Sequence, residues 1–471
     1  MLVLESRPDA SAGSGARKGR RLPFEGVEVA LDGGLVLREA GERDVDRLAA
    51  FNASVHRMPG QTTMATSLGT AVRSLMEGHL PGAGAAGFLV VDDPGTGAVA
   101  SSLCVLRQTW RYEGIPFDVD QIEFVGTDPA YRRRGLVRIQ MDLVHRRSAT
   151  EGCLVQVIDG IDWYYRQFGY EYALEASRGG RVLEAPAAPA AAGGQDDALR
   201  TRTATAGDLD FLSETYRSGM ERYEVSVDRD QRRWLADLDG YDRRNYHRPT
   251  LRVIEDRAGR AAGFCSYWAS FHDPGRTPDR LWVGGLELDP DHDWATWGPR
   301  AARCLREMAV ELAADRGMAP TPIVVRLGDA HPFYDLGRFR RVEPRDGSVW
   351  YVRVADVPGF LHHVGPALQE RLANSPAAGH SGTLALSFYR DGVRLHFELG
   401  RLVGVERWPA PGQYEGDAWF PELTFLQLLL GYRSLAELEH AYADCAVRDL
   451  ESRTLVEALF PKRPSHTWLA V

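Results

Sequence analysis

Residues 124–138 read Phe-Val-Gly-Thr-Asp-Pro-Ala-Tyr-Arg-Arg-Arg-Gly-Leu-Val-Arg, and this run holds the residue types best suited to chemistry. An apolar strand ends at Asp128 and Pro129, a basic turn follows, and a helix begins near Val137. Backbone N–H groups at such a helix start carry partial positive charge and favour a phosphate. Arg132, Arg133, Arg134 and Arg138 add charge and forked donors, and Gly135 lets the backbone come close to a ligand. The chemistry implied is the cradling of a pyrophosphate. A solvated arginine run on a helix end is the plainer alternative. Neither of the commoner phosphate loops occurs: there is no Gly-x-x-x-x-Gly-Lys-Ser/Thr, and no Gly-x-Gly-x-x-Gly opens the first strand–helix unit.

A second cluster follows one helix (134–150) and one strand (Cys153–Ile158) later, at Trp163-Tyr-Tyr-Arg-Gln-Phe-Gly-Tyr170. The basic run resembles the Arg/Gln-x-x-Gly-x-Gly/Ala loop of the GNAT acetyltransferase superfamily. Arg132, Gly135 and Val137 stand in its three defining places, with Val137 departing from the usual small residue. The aromatic run resembles the Phe-Tyr-x-x-x-Gly-Phe signature that closes the GNAT acyl site, with Tyr165 in the tyrosine's place. The resemblance implies acetyl-CoA as donor and no metal. Backbone groups of Val125, Gly126 and Thr127 would hold pantetheine and the acyl carbonyl. Arg132, Arg133, Arg134, Gly135, Leu136, Val137 and Arg138 would hold the pyrophosphate.

Acyl transfer to an amine needs a positioned carbonyl, a deprotonated ammonium and a protonated leaving thiolate. Tyr165 is the candidate acid, since a phenol of pKa about 10 suits donation to a thiolate. A core aromatic with a satisfied hydroxyl is its structural alternative, and the preferred reading for Tyr164 and Tyr170. Two bases stand level. One is Glu123, on the strand that enters the cradle. The other is implied by resemblance: in Eis-like proteins the C-terminal carboxylate reaches the active site, which here is that of Val471. Asp159 and Asp162 are placed to orient a cationic acceptor. Acceptor specificity is expected in the loops Met58–Leu68 and Tyr112–Asp118.

These residues need elements to position them. A strand near Leu35–Arg38 leads to a helix with Asp44 as its N-cap and Val45, Leu48 and Ala49 on one face. A second helix covers Ser67–Glu77, and Phe88–Val91 and Ala98–Trp110 form a hairpin around 92–97. Strand 121–127 then enters the basic turn. A Pro/Ala/Gly linker follows at 184–199, and the chain begins again. Arg38, Ala40, Asp44, Asp46 and Leu48 recur at one fixed offset as Arg202, Ala204, Asp208, Asp210 and Leu212. The hairpin recurs over Leu251–Phe264, and the aromatic signature over Pro332–Phe339. The second copy has Asp289-Pro-Asp-His-Asp in place of the basic turn, where Asp291 and Asp293 repel a pyrophosphate and Pro299 removes an N–H. It is therefore read as a wall without CoA, with Tyr334 a core aromatic.

Beyond Val354 a helix over Gly359–Ala373, a hairpin of Leu384–Tyr389 and Val393–Glu398, and an apolar helix over Glu422–Leu430 are expected. The stretch Thr424–Leu435 and the ending Leu459-Phe-Pro-Lys-Arg-Pro464 resemble the sterol-carrier-protein-like domain of Eis-type (enhanced intracellular survival) acetyltransferases. The whole is read as an α/β (α+β) chain of tandem GNAT folds with mixed central sheets and a C-terminal α+β domain. The bounds are a disordered tail at 1–27, a catalytic domain at 28–183, a linker at 184–199, a degenerate copy at 200–354 and the last domain at 355–471. In that family the last domain is architecture, which outweighs lipid carriage, and the assembly is a homo-oligomer, a hexamer.

Composition bounds the rest. A hydrophobic fraction of 44% permits several real cores, while no apolar run approaches the about 20 residues of a bilayer span. No signal-peptide pattern opens the chain, and five scattered cysteines without metal spacing fit buried thiols, so a cytoplasmic protein is expected. A net charge of -9 argues against nucleic acid and suits a cationic partner, with no membrane partner expected. The function implied is an acetyl-CoA-dependent N-acetyltransferase acting on a polyamine-, aminoglycoside- or amino-acid-like amine. The alternatives are a CoA-binding sensor or scaffold, and an acyltransferase using another acyl-CoA in a biosynthetic pathway.

Overall fold

The computed structural model describes residues 26–56, 63–176, 180–184, 199–240, 249–269, 280–315, 317–336, 339–341, 349–409, 412 and 414–467. The tail at 1–25, most of the linker, much of the loop at 58–68 and the Val471 terminus lie outside the described residues. Strands β1 (Glu28–Ala30), β2 (Val36–Glu39), β3 (Phe88–Asp93), β4 (Ala98–Tyr112), β5 (Ile115–Thr127), β6 (Val155–Ile158) and β7 (Glu171–Glu175) build most of the first sheet. Helices α1 (Val45–Val55) and α2 (Thr63–Met76) precede β3, and α3 (Leu136–Thr150) joins β5 to β6. Between β8 (Arg181–Leu183) and β16 (Val349–Val354) the pattern repeats. It runs β9 (Arg200–Thr203), α4 (Leu209–Met220), β10 (Val225–Val227), α5 (Gln231–Leu235), β11 (Thr250–Glu255), β12 (Ala261–Ala269), β13 (Leu281–Leu288), α6 (Trp294–Ala314), β14 (Ile323–Val325) and β15 (Phe339–Arg341).

The strands run β1-β2-β3-β4-β5-β6-β16-β7 in the first sheet, with β10 added to β4, and β9-β11-β12-β13-β14-β8-β15 in the second. From β2 and β9 onward the two orders match strand for strand, β1 having no counterpart, with one exchange: each copy gives its last strand to the other. β16 pairs antiparallel with both β6 and β7, and β8 with both β14 and β15. β5–β6 and β13–β14 are parallel, so both sheets are mixed. β3 is apolar without alternation because its central residues are covered on both faces, Phe88 to Val91 being fully buried.

The repeated Arg and Asp do something other than capping. Asp44 precedes α1 but makes no side-chain cap; its carboxylate turns back to accept from the Gly41 N–H at 2.9 Å. Arg38 donates to both its oxygens at 2.7 and 2.8 Å and, through Nε, to Asp92 of β3 at 2.7 Å. In the second copy Arg202 holds Asp208 at 2.8 and 2.6 Å and Glu255 of β11 at 2.6 Å. The recurrent residues are a clasp tying the start of the first helix to two strands.

The last part of the chain adds α7 (Val357–His363), α8 (Gly365–Ala373), β17 (Gly382–Ser387), β18 (Asp391–Glu398), β19 (Arg401–Pro409), β20 (Ala418–Trp419), α9 (Phe425–Leu429), α10 (Leu435–Ala441), β21 (Ala446–Val447) and α11 (Leu450–Leu459). The single helix expected over 359–373 is two, because Pro366 has no N–H and fits only a new first turn. Its core is continuous with the lower first sheet: Trp110, Phe117, Val157 and Trp350 join Phe360, Leu386, Phe425, Leu428, Leu429 and Leu430. The 428–430 run is thus packed core.

Among the described residues no helix is long and apolar enough to cross a membrane. No group of three or more metal-ligating side chains gathers there. All five cysteines are buried and free.

Candidate functional site

The site begins where β5 loses a neighbour. β6 pairs with β5 only over Val119–Ile122 and stops at Ile158, while β5 runs on to Thr127 bonded to β4 alone. The β4–β5 register slips between Ser102 and Cys104, so β5 carries one extra residue, and Phe124 there takes φ 53°. Such a bulge bends a strand. The free edge at 123–127 is therefore splayed away from β6, and Val125, Gly126 and Thr127 line a cleft of about 600 Å³, where the Thr127 carbonyl accepts from Arg132 Nε at 3.4 Å.

At the head of the cleft lies the basic turn. Arg133 sits at φ 63° and Gly135, the residue before α3, at φ 74°. Left-handed residues interleaved with ordinary ones turn successive N–H groups to one side and make an anion nest, reinforced here by the start of a 15-residue helix. Arg132, Arg133, Arg134 and Arg138 are all exposed around it. Arg134 stacks over Tyr131 and Arg138 over Phe168, each about 5.1 Å from the ring centroid, which holds their charges at the cleft's edge. These donors fit a pyrophosphate.

Tyr165 closes the other end. It lies in a 3-10 turn, Tyr164–Phe168, entered through Trp163 at φ 70° and left through Gly169 at φ 84°. Its ring packs on Tyr164, Phe168, Tyr170 and Tyr351. Gly160 leaves the space for it: a Cβ there would stand 2.0 Å from the ring. Tyr165 is 4% exposed, yet its hydroxyl has no hydrogen-bond partner among the described residues and borders the cleft. Burial first, then the neighbouring Tyr164 and Glu123, push its pKa well above the ordinary phenol value. The proton stays on. Glu123 is half-buried opposite Cys104 and accepts from Gln121 Nε2 at 2.6 Å.

Asp159 and Asp162 line a separate pocket of about 280 Å³ behind Tyr165, with Glu171, Tyr172, Tyr442 and the cation Arg166. The hairpin at Tyr112–Asp118 is not at the cleft. Its tip at Gly114 lies eleven residues before Val125, about 36 Å away along the strand. There Tyr112 donates to the Leu429 carbonyl at 2.9 Å and Glu113 pairs with Arg371 at 3.1 Å. That loop docks the last domain.

Sequence reasoning passed over His56, just after α1. Its ring meets Phe124 edge-on at 6.4 Å and borders the same cleft. One isolated histidine after a helix carries no spacing signal that would have found it.

The family model described as the acetyltransferase (GNAT) domain matches residues 37–173. That stretch is similar to a GNAT acetyltransferase domain. It spans the bulged β5, the basic turn and Tyr165. No curated protein sequence matches the chain. Among solved structures, a GCN5-related N-acetyltransferase from Kribbella flavida is similar with TM-score 0.61 at 18% identity, covering 92% of this chain and 98% of that one. Another from Anabaena variabilis gives 0.59 at 15%, covering 93% and 99%. Eis1 from Mycobacterium abscessus gives 0.56 at 17%, covering 91% and 98%. These likenesses show the fold, and they extend through the second GNAT-like copy and the last domain.

Proposed function

We propose that the protein is an acyl-CoA-dependent N-acetyltransferase of the Eis-like type, moving an acetyl group to a primary amine by direct attack in a ternary complex. The observation that carries this reading is the convergence in one cleft of a left-handed basic turn, a splayed strand edge and an unpartnered buried phenol. Acetyl-CoA supplies the thioester when bound. The turn from Arg132 to Arg138 holds its pyrophosphate, and the free edge at Val125 and Thr127 lines up pantetheine and the acyl carbonyl. Tyr165, kept protonated by burial, gives its proton to the departing sulfur. The acceptor is polyamine-, aminoglycoside- or amino-acid-like, and the last domain is a sterol-carrier-protein-like scaffold in a cytoplasmic homo-oligomer.

Thiol release from acetyl-CoA across a panel of amines, aminoglycosides and amino acids tests the reading, alongside Tyr165→Phe. Turnover should appear with at least one amine and fall at least about tenfold in the variant. CoA binding without release from any acceptor would instead make the protein a sensor or scaffold, and release only with another thioester would change the acyl group.

A further inference from the structure

We propose that His56 is the general base that deprotonates the acceptor amine, an inference that rests on the transferase reading above. Three observations place it. The ring stands across β5 from the basic turn: a Cβ on Gly126 would lie 3.3 Å from Nε2 and 2.8 Å from Cγ1 of Val55. Gly126 therefore keeps open the gap between the free strand edge and α1. The Phe124 backbone hydrogen-bonds the ring. Nε2 is buried and has no partner among the described residues. Nε2 is thus the nitrogen at the gap beside Gly126, in the wall of the cleft. With the Phe124 backbone accepting the ring's one N–H, the other nitrogen keeps its lone pair.

A buried nitrogen lone pair without a donor is costly unless a ligand supplies one. An ammonium does. Burial also lowers the pKa of His56 from its ordinary value, the Phe124 bond opposing it, so the ring is neutral at pH 7. The surroundings agree: its own helix offers Val55 and Phe51, and the strand offers Gly126 and Phe124. Among the described residues, the charged groups lining the same cleft are the four arginines of the turn, and its phenols are Tyr131, Tyr164 and Tyr165. Glu123 lies next along the strand and its carboxylate is engaged by Gln121.

The step balances. Nε2 takes one proton from the ammonium, and the freed lone pair forms the C–N bond. The C–S bond then breaks with its electron pair on sulfur. Tyr165 protonates that sulfur and is reprotonated by the proton shed from the new amide nitrogen. His56 returns its proton to water.

His56→Asn is the deciding variant, because the Asn amide overlays Nδ1 and keeps the bond to Phe124 while Nε2 is lost. With an alkylamine acceptor at pH 7 its kcat/KM should fall about 100-fold or more, with CoA affinity unchanged. The acidic limb of the pH–rate profile assigned to His56 should disappear. A weakly basic acceptor such as a hydrazide, already neutral at pH 7, should be nearly spared, and imidazole in the buffer should restore part of the activity of His56→Ala. Wild-type turnover with His56→Asn within about threefold and an unchanged pH profile would overturn the assignment and leave the transferase reading intact. No turnover by the wild-type protein with any amine would overturn both.

Discussion

The two GNAT-like copies share a frame and differ in what fills it. Both keep the clasp, Arg38 with Asp44 and Asp92 in one and Arg202 with Asp208 and Glu255 in the other. Both keep a parallel pair that diverges, β5–β6 and β13–β14. At the divergence they part. In the first copy Gly126, opposite Ser102, leaves a gap beside Val55 and His56. In the second, Glu287 stands opposite Phe264, and its carboxylate lies over Gly219, which follows Val55 by the spacing that separates Arg38 from Arg202. Small and large residues have changed places. Glu287 is then locked by Arg222 at 2.8 Å, and His331 lies at 3.4 Å. Burial opposes its charge, yet His331 and Arg222 hold its pKa at about 2.

The other contacts follow the same rule. Tyr334, the counterpart of Tyr165, spends its hydroxyl on the Val325 carbonyl and the Leu327 N–H. Asp293 caps α6 by accepting from the Thr296 N–H, so a carboxylate occupies the place of a phosphate. Pro299, expected to weaken the turn, sits inside α6 a turn further on. The comparison teaches that the clasp and strand order belong to the fold, while an open site needs its polar groups left unspent.

The sharpest way to break the contrast is to make the first copy resemble the second. Gly126→Glu should abolish thiol release in the acetyl-CoA assay while far-ultraviolet circular dichroism stays unchanged, since the new side chain occupies the gap beside Val55 and His56. Retained turnover would mean that the gap is not the acceptor side.

The shared clasp can be weighed next, by urea unfolding. Asp44 is fully buried, whereas Asp208 is 12% exposed and Arg202 41% exposed. Arg38→Ala should therefore cost about 3 kcal/mol, and Arg202→Ala about 1 kcal/mol after solvent screening. The pH dependence has a definite sign. Burial opposes ionisation of Asp44, but hydrogen bonds from Arg38 and Gly41 hold it at about 2, below its unfolded value of 3.8. Its stabilisation is thus complete above pH 3.8 and is lost as pH falls through 2. Equal costs for the two arginine variants would show that burial does not separate the copies.

The smallest effect concerns fine placement. Gly160→Ala should push the Tyr165 ring and lower kcat about tenfold, equivalent to about 1.4 kcal/mol, with the KM for acetyl-CoA nearly constant. A rise in that KM instead would place the ring's role in donor binding.

Much of this was legible in the residues. The run at 124–138 carries its own local physics, since a basic turn before a helix gathers N–H donors and charge from nearby residues alone. The recurrence of Arg38 and Asp44 as Arg202 and Asp208 was visible too, but its meaning was not. An Asp before a helix serves equally as cap or as ion-pair partner, and only the position of Asp92 on β3 decides. His56 was hidden because what matters is an empty Cβ position on Gly126, a feature of another strand. The 112–118 loop read as an acceptor loop because exposed turns often bind; here Tyr112 and Glu113 are consumed by Leu429 and Arg371.

The exchange of last strands has a consequence for how the molecule is made. β7 leaves the ribosome early, yet the strand that must lie between it and β6 comes only with Val349–Val354. Until then the nascent first copy has β6 and β7 facing an empty slot, with Tyr165 on the segment that joins them. The cleft's far wall is therefore finished only when the second copy has been translated, and a chain cut at the linker leaves two sheets with a strand missing from each.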